Sequence, residues 1–143
     1  MTIHIMDTNI ISRLMGGHGK FTQKIQDLIL TGDDIVFSAL SYYEIKCGLQ
    51  ANTNPSKINL FDKIYQKFRI IFLNDRKIFD IASDIYRMLN NIGGLDMNSL
   101  QMDILIAATA IQFNFNVLTE NTKDFKRIKS VEPRFMFESW SAS

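Results

Sequence analysis

This chain carries little that braces a fold covalently. It has one cysteine and two prolines in 143 residues. A lone cysteine closes no internal bridge, so a disulfide scaffold is excluded; at this size about 70% of the unfolded surface is buried on folding, enough for a core without staples. Cys47, beside Ile45 and Leu49 in a helical-looking stretch, reads as a small core residue rather than a nucleophile. The two histidines, His4 and His18, lack metal-ligand spacing to any acid-rich helix and read as incidental to metal binding. Charge of one sign is also missing. The 16 Lys+Arg offset 15 Asp+Glu to leave a net charge of +1, which excludes a strongly cationic coat for non-specific nucleic-acid binding and leaves only a local basic patch open. The longest apolar run, Ile104 to Ile111, is far shorter than the roughly 20 residues that span a bilayer. No membrane role is expected. The start, MTIHIMD, has no basic segment and reaches an aspartate at position 7, so no signal peptide is expected and the expected location is cytoplasmic.

What is present is a 46% hydrophobic chain whose apolar residues change period repeatedly. Ile3, Ile5 and Met6 form a short buried strand that ends in Asp7-Thr8-Asn9, a helix start. Phe21, Ile25, Leu28 and Ile29 keep helical spacing until Thr31-Gly32-Asp33-Asp34. Ile35-Val36-Phe37 reads as a second strand. Ser41-Tyr42-Tyr43-Glu44 fits a capping box and opens a helix to about Gln50. Asn52 to Pro55 is a loop, and Ile58, Phe61, Ile64, Tyr65 and Phe68 continue with helical period into the strand Ile70 to Leu73. A long helix starts near Lys77 and is closed by Gly93-Gly94. The stretch MDILIAATAIQF is helical, NVLT is a short buried strand, and a last edge strand falls around Arg134 to Phe137. Strands alternating with helices predict βαβ units, hence a parallel sheet covered on both faces, in one domain over residues 1–143.

In such sheets, ligands bind outside the carboxyl ends of the strands. Asp7 follows the first strand, Glu44 lies one turn into the helix after the second, and Thr119, Glu120, Asn121 and Asp124 follow NVL. Singly, these acids have ordinary explanations: Asp7 as a helix cap, Glu44 as the capping-box partner, Asp124 as a first-turn acid favoured by the helix dipole. Asp103 has none, since it enters an apolar helix with Ser99 and Ala107 four residues away on either side and no basic partner. Together, carboxylates at one edge without matching cations repel unless a divalent cation joins them, and all-oxygen ligands favour Mg²⁺ or Mn²⁺ over zinc.

IHIMDTNII, SYYEIKCGL, MDILIAATA and VLTENTKDFKRI, in this order and spacing, resemble the PIN-domain family, most closely its VapC-type toxin ribonucleases from bacterial toxin–antitoxin pairs. The ending FESW is similar to the family's C-terminal edge strand. The resemblance implies a three-layer α/β/α sandwich with a mainly parallel central sheet and Mg²⁺-dependent endoribonuclease activity. It implies Asp7, Glu44 and Asp103 as the first three acids. Many members carry an aspartate where this chain has Asn121; others use the acid two or three residues on, here Asp124. Asp7, Asp103 and Asp124 are then the expected metal ligands, Glu44 a ligand or the group that positions water, and Asn9, Thr119 and Asn121 the groups that hold these acids. The expected partners are an RNA substrate, a VapB-type antitoxin and a second copy in a homodimer. Tyr42, Tyr43, Phe61 and Tyr65 lie on helices that form the family's antitoxin groove, though filling gaps between helices explains them equally well.

A metal held by these acids lowers the pKa of water, orients it for in-line attack and stabilises charge on the scissile phosphate. Lys123, Lys126, Arg127 and Lys129 follow the fourth motif and are candidate contacts to the RNA backbone, against the alternative of a solvated helix face. A receiver domain needs paired acids after the first strand and a late lysine; a dehalogenase-like phosphatase needs D-x-D. Neither is present. The remaining rival is a non-catalytic PIN-like module that binds RNA or protein.

Overall fold

The computed structural model describes residues 1–50 and 53–141. Its strands are β1 (Ile3–Met6), β2 (Asp34–Ser38), β3 (Arg69–Ile71), β4 (Asn116–Thr119) and β5 (Phe137–Ser139). Its helices are α1 (Thr8–Met15), α2 (Gly19–Leu30), α3 (Ala39–Gly48), α4 (Pro55–Lys67), α5 (Arg76–Ile92), α6 (Met97–Phe113) and α7 (Thr122–Val131). The sheet runs β3-β2-β1-β4-β5 with every neighbouring pair parallel.

Alternation along the strands assigns the two faces. Ile5, Val36 and Val117 join a core closed by Ile78, Ile85 and Leu89 of α5, Leu100 and Ile104 of α6, and Phe125 and Ile128 of α7. Met6, Ile35, Phe37 and Leu118 face the other way, onto Ile10 and Leu14 of α1, Phe21 and Ile25 of α2, Ile45 of α3 and Phe61 and Ile64 of α4. Helices therefore cover both faces, which is the α/β/α sandwich. The register sets Met6 beside Phe37 and Leu118, so β1, β2 and β4 end level and their following residues share one edge.

Five local expectations change, the first being the third strand, which spans Arg69–Ile71 rather than Ile70 to Leu73. The helix after β2 begins at Ala39, not Ser41, because Ser38 takes the cap by accepting the Leu40 N–H at 3.1 Å. Ser41 is then buried inside α3, and Glu44 is released from capping. Cys47 is exposed, not core: α3 buries Ser41 and Ile45, and Cys47 lies about 200° round the helix from Ile45. The last strand is Phe137–Ser139 rather than Arg134 to Phe137. Of the expected loop at Asn52 to Pro55, Asn52 lies outside the described residues, while Asn54 caps α4 and Pro55 is its first residue. The Gly93-Gly94 stop holds, with Gly93 at φ 79°, a backbone that side chains disfavour.

Candidate active site

Asp7 stands where β1 becomes α1, and it both continues the sheet and starts the helix. Its N–H donates to the Leu118 carbonyl at 2.9 Å, and its Oδ1 accepts the Thr8 N–H at 2.8 Å. Oδ2 accepts from the Thr119 hydroxyl at 2.7 Å and the Asn9 amide at 3.1 Å. Asp7 as a whole is 5% exposed. Burial pushes its pKa up, the hydrogen bonds from Thr119 and Thr8 oppose that, and the Glu44 charge adds to it.

Asp103 projects from α6 toward the same edge. Its pKa is raised to about 7, first by desolvation and then by the charges of Asp7, Asp124 and Glu44. All four acids therefore act on one place. Asn121, the cap of α7, ties two of them together: its amide donates to Asp103 Oδ2 at 3.1 Å and to Asp124 Oδ2 at 3.0 Å. The amide at the fourth-acid position thus joins two carboxylates that would otherwise repel. Glu44 reaches the edge from α3, where its Oε1 and the Ser41 Oγ both lie 2.9 Å from the Thr8 hydroxyl.

Asn9 and Thr119 hold Asp7, and Asn9 also accepts the Glu120 N–H at 3.1 Å, linking α1 to the loop after β4. The basic residues divide. Arg127 contacts Asp124 at 3.3 Å, while Lys123 and Lys126 are exposed on α7. Lys129 points elsewhere, donating to the Phe135 carbonyl at 2.6 Å and fastening the α7–β5 connection. The pattern reading also missed Arg13, which pairs with Glu120 through two contacts at 2.9 and 3.2 Å. The only sequence signal was its place one helical turn beyond Asn9.

Apart from Arg127, no cation contacts these acids among the described residues. A hard cation with oxygen ligands suits such a donor set, and Asp7, Asp103 and Asp124 are the side chains that could hold it. No three His, Cys, Asp or Glu side chains among the described residues form a ready-made metal cage. Mg²⁺ does not require one, since it keeps several waters and is bound through one or two carboxylates.

A family model described as PIN domain matches residues 5–131. The chain belongs to the PIN domain family. Relatives within it include Ribonuclease VapC2 of Rickettsia felis, 27% identical over 142 residues and covering 96% of this chain and 98% of the relative. Ribonuclease VapC1 of Haemophilus influenzae is 24% identical over 131 residues, covering 91% of this chain and 95% of the relative. Among solved structures, VapBC2 from R. felis bound to a DNA fragment from its promoter superposes with a TM-score of 0.81 at 23% identity, covering 98% of this chain and all of that one. VapBC-1 from nontypeable H. influenzae gives 0.75 at 23% identity, covering 97% and 98%. The PIN fold is thus shared across nearly the whole chain.

Proposed function

We propose that this PIN domain is a Mg²⁺-dependent endoribonuclease and the toxin of a toxin–antitoxin pair, acting in the cytoplasm. The carrying observation is Asp103, a carboxyl raised to about 7 by burial and by three other acids gathered at one sheet edge. Structural carboxylates are normally paired; this group is arranged against itself and gains free energy when a cation arrives. Bound there, Mg²⁺, or Mn²⁺ in its place, supplies positive charge against the scissile phosphate and favours ionisation of an attacking water.

The chain's own residues supply the positioning. Asp7 is fixed on both oxygens by Thr8, Asn9 and Thr119. Asp103 and Asp124 share the Asn121 amide. Glu44, exposed and anchored through one oxygen to Thr8, is suited to ligate the ion or orient water. Arg127 lies beside Asp124, and Lys123 and Lys126 are exposed on the same helix, available to the RNA backbone.

VapBC complexes among the structural neighbours support a VapB-type antitoxin as partner; the homodimer rests on the family resemblance alone. The aromatic residues expected on its groove divide between packed and exposed positions. Phe61 is buried at 2% exposure and Tyr42 packs against it and Tyr65 at 5.6 and 5.3 Å between ring centres. Tyr43 and Tyr65 are exposed. A mainly apolar cavity of about 410 Å³ also opens beside Leu14, Ile25, Ile64 and Phe68, between α1, α2 and α4.

The test is cleavage of single-stranded and structured RNA with and without Mg²⁺, in wild type, Asp7→Asn and Asp103→Asn. Metal-dependent cutting by wild type alone is expected. Equal activity in all three proteins removes the metal-site assignment, and no cutting by wild type with any divalent ion favours the non-catalytic module.

A further inference from the structure

A second concavity adjoins the acids and has no task in the mechanism above. Thr8 and Glu44 form its inner wall, Ser12 and Met15 of α1 and Ile45 of α3 line it, and Lys57 in the first turn of α4 stands at its side. Its volume is about 220 Å³, below the roughly 300–1,000 Å³ of pockets for drug-sized ligands. A duplex does not enter such a space, whereas one flat ring does.

We propose that this cavity seats a single unpaired RNA base next to the bond that is cut. The proposal rests on the ribonuclease reading and names what that site recognises. Three observations converge on it. The cavity shares Glu44 and Thr8, the residue after Asp7, with the acid edge, so a nucleotide held there lies next to the acids. Met15 and Ile45, both nearly buried, contribute thioether and hydrocarbon atoms to the lining, which suit contact with an aromatic ring. Lys57 is exposed and lines the same cavity as Glu44, where a cation counters the repulsion between carboxylates and the RNA backbone.

Gly48 makes the inference testable without unfolding the protein. It closes α3 and lines the cavity, and a Cβ placed on it meets nothing within 4 Å. Gly48→Leu therefore adds a large side chain at the cavity lining without a clash while improving helix propensity. The expected result is an unchanged or higher melting temperature, a KM for single-stranded RNA raised about tenfold, and a weakened preference among bases at the cut. Lys57→Ala should weaken binding of the same RNA and lower its salt slope by about one.

A second arm measures affinity for a short fluorescent single-stranded RNA in EDTA, with the RNA checked intact on a gel. A loss of about tenfold in Gly48→Leu supports the base pocket. If wild type cuts nothing yet this loss is seen, the ribonuclease reading falls and the base pocket stands. Unchanged affinity and an unchanged cutting pattern in Gly48→Leu overturn the pocket, including the case in which that variant loses only a protein partner.

Discussion

The two ends of β1 carry polar clusters of opposite character. At its start, His4 is buried, with Nε2 at 2.8 Å from Asp33 Oδ2 and Nδ1 at 3.0 Å from the Asn116 amide, while Thr2 N–H donates to Asp33 Oδ1 at 3.0 Å. The amide can only donate, so Nδ1 accepts and Nε2 carries the proton given to Asp33. Asp33 is held below the usual carboxylate range, first by that bond. At the other end of the strand, Asp7 and Asp103 are pushed up instead. Asp33 has its donors within the fold; Asp103 has one amide and three like charges. The first cluster therefore works in folding, and the second leaves attraction available for a ligand.

The largest test of this contrast is catalytic. Asp7→Asn or Asp103→Asn should lower RNA cleavage by about 10³-fold or more, with the metal-free protein still cooperatively folded by circular dichroism. A variant that loses activity only because it unfolds would erase the distinction between the two ends. The complementary change is His4→Ala. It leaves the Asn116 amide and Asp33 without their shared partner and opens a void between β1 and its neighbours, so it should cost about 1–3 kcal/mol in urea unfolding while kcat is retained. A loss of cleavage in folded His4→Ala would show that the two clusters are coupled along the strand.

This division explains what the sequence disclosed. The order of strands and helices was readable because both sheet faces are apolar and each strand breaks into a polar cap. The acids were readable because a parallel sheet brings its carboxyl ends to one edge, and because Asp103 interrupts an apolar helix. What stayed hidden depended on distances through space. Ser41 looked like a cap because S-x-x-E is a local pattern, whereas the true cap at Ser38 followed from where β2 ended. Lys129 looked like a neighbour of the site until its side chain was seen to reach the Phe135 carbonyl. The Asn121 bridge joins α6 to α7 across 18 positions, and no periodicity reports it.

The smallest effect is in the pH dependence of stability, where the two ends pull in opposite directions. Asp33 has a lowered folded pKa, so its contribution is present above the unfolded value of 3.8 and is lost as pH falls through the folded value. Asp103 is raised from 3.8 to about 7. Between those values the folded protein binds more protons than the unfolded chain, so rising pH destabilises it, and the full cost is reached above about pH 7. In EDTA, wild type should therefore melt at a lower temperature at pH 8 than at pH 5.5, and Asp103→Asn should reduce that difference. Solvent reaching the carboxylate limits the change to about 2–4 °C. On the proposed function Mg²⁺ should bind the ionised acids and raise the melting temperature more at pH 8 than at pH 5.5. An equal rise at both pH values would mean that the ion stabilises the protein elsewhere, and the proposed division between the two ends of β1 would fail.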